Sequence, residues 1–303
     1  MNLEKYLDEL RDLRKPLVIS RLTNLSNLSQ EELRLFKARW ASIEVKRRRE
    51  ILGWLTELAE DNFELDFYDV FHICLHDEDA IVRVKAIEGL WECEDRGLIA
   101  PLIELMKSDS EESVRAAAAT ALGRFALLGE LNKLRPGDVE RVGNALLGVI
   151  DNPGEQVEVR RRALEAIAPL SMPRVKEIIS EAYHSGEPRF IVSALYAMGR
   201  NCDPIWLPTL LKELSSPDPA RRFEAVRACG ELEDESAVPY LIKLIDDIDT
   251  HVQLCAIEAL GHIGGGEARR ALHRCLDNPD ERIRQAAEEV LGEMEFEEGL
   301  SWF

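Results

Sequence analysis

Residues 187–217 read EPRFIVSALYAMGRNCDPIWLPTLLKELSSP, residues 218–248 read DPARRFEAVRACGELEDESAVPYLIKLIDDI, and residues 249–279 read DTHVQLCAIEALGHIGGGEARRALHRCLDNP. Stacked this way, the segments and their flanks fall into columns 31 residues apart. One column is Ala163, Ala194, Ala225, Ala256 and Ala287. Another is Gly199, Gly230, Gly261 and Gly292, and a third is Glu187, Asp218, Asp249 and Asp280. A fixed period of about 20–50 residues marks a repeat array and takes precedence over any local assignment.

The middle segment shows what one unit must be. The Asp218 carboxylate can accept from the unpaired N–H groups that open a helix. Pro219 suits the first turn, where its missing N–H costs nothing. Ala225, Val226 and Cys229 recur at helical spacing and form one buried stripe. Gly230 follows, as a close-packing position or near a C-cap. A polar loop over 231–236 leads to a second amphipathic run with Val238, Leu241, Ile242 and Ile245 on one face. Two short helices joined by short turns result, with no strand alternation. The alanine column requires a small side chain where paired helices approach closely.

Working outward, residues 2–13 predict a short amphipathic helix with Leu3, Tyr6, Leu7 and Leu10 on one face. Pro16 interrupts it, and 15–27 reads as an ordered linker. Ser29 and Glu32 have capping-box spacing and open a helix reaching about Trp40. Residues 1–43 do not fit the period and are expected to cap the array, which then occupies 44–303. Residues 44–60 and 65–76 form a divergent first pair. Ala118 and Ala163 lie 45 residues apart, 14 more than the period. The insertion falls near 125–138, with Pro136–Gly137 marking a turn. A single helix over 280–293 is expected to cap the C-terminal end, followed by an acidic and then aromatic tail ending Ser301-Trp302-Phe303. That tail reads equally well as a docking motif or as a flap over the last helix.

The pattern resembles the HEAT-repeat family, in particular the short HEAT-like repeats of phycobilisome lyases. Asp79–Val82–Arg83–Ala86–Leu90, Val114–Arg115–Ala118–Leu122–Gly123, Val159–Arg160–Ala163, Arg222–Ala225 and Ile283–Arg284–Ala287 carry the resemblance. It implies an all-α superhelix of about seven helix pairs with capping helices at both ends. It also implies a ladder of acidic residues and arginines between neighbouring repeats, which Asp79/Arg83, Asp218/Arg222 and Asp280/Arg284 fit. Ile191 and Gln253 stand where the arginine belongs, so the ladder is expected to break there. The whole chain is similar to a group of bacterial HEAT-repeat proteins with a comparable N-terminal extension.

Composition narrows the function. The chain has 303 residues, is 46% hydrophobic and carries a net charge of -19. Residues 1–60 hold 12 basic and 10 acidic residues, whereas the remaining 243 hold 26 and 47. Phosphate binding needs clustered Lys and Arg, so this balance disfavours nucleic acid and anionic membranes as partners. The six cysteines form no C-x-x-C pair and read as free, largely buried thiols of a reducing compartment. No apolar leader run is present, and no span approaches the roughly 18 apolar residues of a membrane helix. A soluble, cytoplasmic protein is expected.

In HEAT-like folds the second helices line the concave face. Counting 18 residues beyond each anchor alanine gives a solvent-facing column Glu104, Glu181, Lys212, Lys243 and Arg274. Its neighbours include Trp206, Thr209, Tyr240, Arg270 and His273. The groove thus turns from acidic to basic, with Trp206 and Tyr240 as candidate exposed aromatics. Aromatic residues and Arg are enriched at protein-binding hot spots. Candidate partner-binding residues are therefore Trp206, Tyr240, Lys243, Arg270 and Arg274. Arg47, Arg48 and Arg49, in the only strong basic run, form a second candidate patch for an acidic partner. The plainer alternatives are a packed Trp206 and a solvated helix face with Arg48 and its neighbours paired to Glu44 or Glu50.

Catalytic readings are weaker. Deoxyhypusine hydroxylase, a HEAT-like di-iron enzyme, takes its ligands from repeated His-Glu dipeptides. Here His72, His76, His184, His251, His262 and His273 are followed by Ile, Asp, Ser, Val, Ile and Arg. His72 and His76 have ligand spacing, but no intervening Glu and no clear third ligand. A HEAT-like glycosylase would need a basic, aromatic-lined groove. No phosphate loop or nucleophile elbow occurs. The sequence therefore points to a non-catalytic protein–protein interaction scaffold or adaptor that needs no metal or cofactor. A bilin lyase/isomerase-like enzyme subunit is the alternative.

Overall fold

The computed structural model describes residues 3–300 and contains helices and turns only. Contacts cluster into two compact units, one up to Ala166 and one from Ile167 onward. In the first, α1 (Leu3–Arg11) and α2 (Gln30–Trp40) precede α3 (Val45–Asp61), α4 (Tyr68–Cys74), α5 (Ala80–Glu88), α6 (Ile99–Ser108), α7 (Glu112–Glu130) and α8 (Pro136–Ile150). Helix α9 (Val157–Ile167) runs up to the boundary. The second unit holds α10 (Pro173–Tyr183), α11 (Pro188–Asn201), α12 (Leu207–Glu213), α13 (Pro219–Leu232), α14 (Val238–Leu244), α15 (Thr250–Ile263), α16 (Gly265–Cys275) and α17 (Glu281–Leu300). No described helix is long and apolar enough to cross a membrane.

The helix starts follow the capping logic of the sequence. Asp218 accepts from the N–H of Ala220 and Asp249 from those of His251 and Val252. Ser29 and Glu32 form the expected capping box. Residues 15–27 are not merely a linker, because a 3-10 turn over Ile19–Leu25 buries Leu22 and Leu25. The 14 inserted residues partly lengthen α7, which has 19 residues against 14 in α11, α13 and α15. Most of the rest lengthens α8, which has 15 residues against seven in α12 and α14 and follows a left-handed turn at Asn132. The last helix extends beyond 293, because α17 continues to Leu300. Ser301, Trp302 and Phe303 lie outside the described residues.

Packing explains the columns. Ala163, Ala194, Ala225, Ala256 and Ala287 are all fully buried. Two glycines of the column meet alanines of the next first helix, whereas Gly261 faces Val290 and Gly292 has nothing within 4 Å. A Cβ on Gly199 would stand 2.8 Å from the Ala228 Cα, and one on Gly230 would stand 3.0 Å from the Ala259 Cα. Gly123 approaches Ala166 in the same way, at 3.1 Å. These glycines are therefore points of backbone contact. Gly230 is not a C-cap, since α13 runs on to Leu232 and Glu233 takes the left-handed turn at φ 53°.

The arginine ladder exists, with different acidic partners from those expected. Arg222 does not pair with Asp218. It donates twice to Asp247, at 2.8 and 2.7 Å, and once to the Ser216 carbonyl at 2.8 Å. Arg83 likewise binds Asp109 at 2.8 and 2.7 Å and the Asp77 carbonyl at 2.8 Å. Arg115 binds Glu155 and the Asp109 carbonyl. Each arginine thus seals the carbonyl end behind it and neutralises an acid in the loop ahead. Among the described residues Arg284 makes only the carbonyl half, to Asn278 and Pro279. Where Ile191 and Gln253 replace the arginine, the positions 25 residues on are the neutral Ser216 and Asn278 rather than an acid. Charge and countercharge are absent together, so neither is buried alone.

Candidate functional site

The register of the solvent-facing column holds, for Glu104, Glu181, Lys212, Lys243 and Arg274 are all exposed. Their surroundings differ. Glu181 is engaged by Arg174, at 2.6 Å. Lys212, on α12, Lys243, on α14, and Arg270 and Arg274, on α16, make no ion pair among the described residues. The Lys243 ammonium lies 5.5 Å from the centre of the Tyr240 ring, one helical turn earlier. Tyr240 remains 45% exposed, so the ring face and the cation are both presented outward. Helices α14 and α16 are in contact, which brings Tyr240, Lys243, Arg270 and Arg274 onto neighbouring elements. Within a chain of net charge -19 this is a local concentration of unneutralised cations.

A proline in the first turn helps position the groups on α12 and α14, whereas α16 starts at Gly265. Asp203 and Asp234 each cap a one-turn 3-10 segment, and Pro208 and Pro239 lie in the first turn of α12 and α14. Leu210 and Leu241, 31 residues apart, anchor the buried sides of those helices. Lys212 and Lys243 follow two positions later and point away from the core.

Two expectations are corrected. Trp206 is not an exposed aromatic, being only 7% accessible. Its indole N–H donates to the Asn201 side chain at 3.0 Å, and Asn201 in turn donates to the Ala168 carbonyl. The turn at Cys202, with φ 52°, folds the ring back beneath the end of α11. Trp206 belongs to the core.

Nor do Arg47, Arg48 and Arg49 form an open basic patch. Arg47 and Arg48 are buried, and Arg48 donates to Asp77 at 2.9 Å. Asp77 also accepts from the Trp40 indole at 2.7 Å and from the Asp79 N–H at 2.9 Å. Arg49 engages Asp79 through paired hydrogen bonds, and these hold the Asp79 carboxyl below the usual carboxylate range. Arg47 donates to the Lys15 carbonyl and lies 3.8 Å from Glu50. The run fails as a patch because Arg48 and Arg49 are taken up by carboxylates of the loop between α4 and α5, unseen from local spacing, and Arg47 is buried against the Lys15 carbonyl. Arg48 itself pairs with Asp77 rather than with Glu44 or Glu50, whereas its neighbour Arg47 keeps the contact with Glu50.

All six cysteines are free; Cys74, Cys229, Cys255 and Cys275 are buried, whereas Cys202 is exposed. Burial pushes the Cys229 and Cys255 thiols up to about 12, leaving them protonated packing groups. Among the described residues no group of three or more His, Cys, Asp or Glu is placed to hold a metal ion. His72 stacks on Tyr68 with ring centres 5.8 Å apart.

The comparisons agree with this architecture. The solved complex of CpcE and CpcF of phycocyanin lyase from Nostoc sp. PCC7120 is similar over 90% of this chain and 96% of that chain, with a TM-score of 0.58 at 16% identity. A Kap95p structure with RanGDP is similar over 97% of this chain and 46% of that chain, with a TM-score of 0.52 at 14% identity. Human deoxyhypusine hydroxylase is similar over 97% of both chains, with a TM-score of 0.38 at 17% identity. No curated protein sequence matches. The family profile described as HEAT repeats matches residues 69–157 and 207–292, together more than half of the chain. With the 31-residue columns and the paired helices, that match establishes that the chain belongs to the HEAT-repeat family.

Proposed function

We propose that the chain is a non-catalytic scaffold or adaptor that binds a protein partner through the exposed faces of α14 and α16. Tyr240, Lys243, Arg270 and Arg274 supply the contact, and Lys212 extends it along the array. The observation that carries this reading is the set of unpaired cations around an exposed tyrosine in an otherwise acidic chain. Elsewhere many of the arginines are bound to carboxylates of the chain. A partner surface with Asp or Glu around an apolar group complements this face. Repeat arrays suit such a task because neighbouring units fix an extended row of side chains. The partner is reached in the cytoplasm on this reading, and no cofactor takes part.

The test is affinity capture from source-cell lysate, with wild type beside Tyr240→Ala/Arg270→Glu/Arg274→Glu. All three side chains are exposed, so circular dichroism is expected to show the same fold. A partner held by wild type and lost by the variant supports the reading. A partner retained equally by both refutes this face as the site. A bilin lyase-like subunit is the alternative, supported by a fold likeness to the phycocyanin lyase complex that the scaffold reading shares. Incubation with free bilin separates the two: stable visible absorbance on the purified protein would favour the lyase.

A further inference from the structure

A cleft of about 460 Å³ opens in the first unit, between the end of α3, the loop into α4 and the segment after α5. That volume lies within the range of sites that seat an organic group. Leu65, Phe67, Phe71 and Leu90 make an apolar floor. Phe71 reaches it only because position 89 has no side chain: a Cβ on Gly89 would stand 2.3 Å from the ring. The rim is anionic, formed by Asp66, Glu92 and Asp95.

Asp95 is fixed in place. The Gly97 N–H donates to one oxygen at 2.9 Å and the Tyr68 hydroxyl to the other at 2.7 Å. Both bonds favour the charged carboxylate and lower its pKa. Among the described residues none of these three acids makes an ion pair, whereas Asp77, Asp79, Asp109 and Asp247 each hold an arginine. Phe63, 92% exposed, and Trp91, 53% exposed, stand beside the lining residues in sequence. The occupant that complements an apolar floor under three carboxylates that hold no ion pair among the described residues is apolar at its tip and cationic at its flanks. This chain does not supply it from its one dense basic run, since Arg47, Arg48 and Arg49 are already engaged.

We propose that the cleft docks a basic segment of a partner protein, seating one large apolar side chain on Phe71 between Lys or Arg residues that face Asp66, Glu92 and Asp95. The site is separate from the face on α14 and α16 and does not depend on it.

The experiment titrates the full chain, isotopically labelled, with the amidated pentapeptide Lys-Arg-Phe-Arg-Lys and follows backbone amide shifts. Saturable shifts at Phe71, Gly89 and Cys93 are expected. Replacing the central Phe with Ser is expected to weaken binding about tenfold or more, as loss of a buried apolar anchor does. Glu92→Lys lies on the exposed rim and is expected to weaken the Phe peptide about threefold or more and to flatten its salt dependence. Ala59→Phe fills the cleft and is expected to abolish the shifts; if it does not fold, Glu92→Lys still decides. Equal binding of the Phe and Ser peptides would overturn the proposal, since that is only the attraction of an acidic chain for cations. So would the absence of saturable shifts at these amides, or benzylammonium binding as tightly as the peptide, which would make the cleft a small-molecule site.

Discussion

Arg222 and Asp247 offer a direct energetic test, because the chain carries its own neutral version of the same contact. Their side chains are 8% and 6% exposed and share two hydrogen bonds. Asp247→Ser removes the countercharge and leaves the guanidinium buried. Breaking such a pair from one side costs about 3–5 kcal/mol. The cap beyond it survives, because Ser216 in the equivalent position accepts the Asp218 N–H at 3.3 Å. Arg222→Ile together with Asp247→Ser recreates the Ile191 and Ser216 combination. The double variant leaves no orphan charge and gives up mainly the bond to the Ser216 carbonyl, about 1 kcal/mol. We therefore expect Asp247→Ser to be clearly less stable than the double variant, with a coupling energy of about 2–4 kcal/mol between the sites. Urea unfolding followed by circular dichroism reads the difference, with the m-value checked for constancy. Additive effects, with the double variant the least stable, would refute the claim that the two losses compensate.

Other outcomes follow from the same packing. Gly199→Ala is expected to cost about 1–3 kcal/mol, because its Cβ meets backbone at 2.8 Å, whereas Gly292→Ala, with nothing within 4 Å, is expected to stabilise by about 0.5–1 kcal/mol; thermal melts of the two compare them directly. Ala225→Leu, at a fully buried position, is expected to cost about 1–3 kcal/mol, and an unchanged melting temperature would refute the register. Burial alone would raise the Asp247 and Glu155 carboxyls, but their bonds to Arg222 and Arg115 bring both below the usual range, and Arg49 does the same for Asp79. Depressed folded-state values mean stability that is complete above the ordinary carboxylate range and is lost on acidification. The melting temperature is therefore expected to change little between about pH 8 and 5 and to fall steeply below about pH 4. The Arg222→Ile/Asp247→Ser variant is expected to lose less over that acid interval.

What the sequence discloses is what repeats at fixed distance or acts within one turn. Ala225 and its column, the Asp218 and Asp249 caps and the outward column through Lys243 all obey local geometry. Contacts that cross from one loop to another escape it. Arg222 finds Asp247 25 residues away, and nothing near Asp218 announces that. Arg48 finds Asp77 by the same rule, which removes a basic patch that spacing alone suggested. Trp206 shows a further limit. Whether its ring faces water depends on the left-handed turn at Cys202 and the Asn201 amide, not on its place in the helical pattern. The cleft beside Phe71 needed Gly89 to be read as a space for a distant ring, and no periodic column contains it.

The ladder also sets rules for lengthening or shortening the array. Arg222 and Asp247 both fall inside the block 218–248, as Ile191 and Ser216 fall inside 187–217. The one ladder bond that crosses the cut before Asp218 runs to a backbone carbonyl, which any residue supplies. A block excised or duplicated at the capping acid therefore takes its charge and countercharge with it, whatever its neighbours are. A cut between the two helices of a unit would instead divide the pair. The joints at Asp218 and Asp249 are therefore natural splice points for the ladder, while the Arg221–Glu213 ion pair and the packing of Arg227 on the Tyr196 ring, which cross the first joint, must be matched in any rebuilt array.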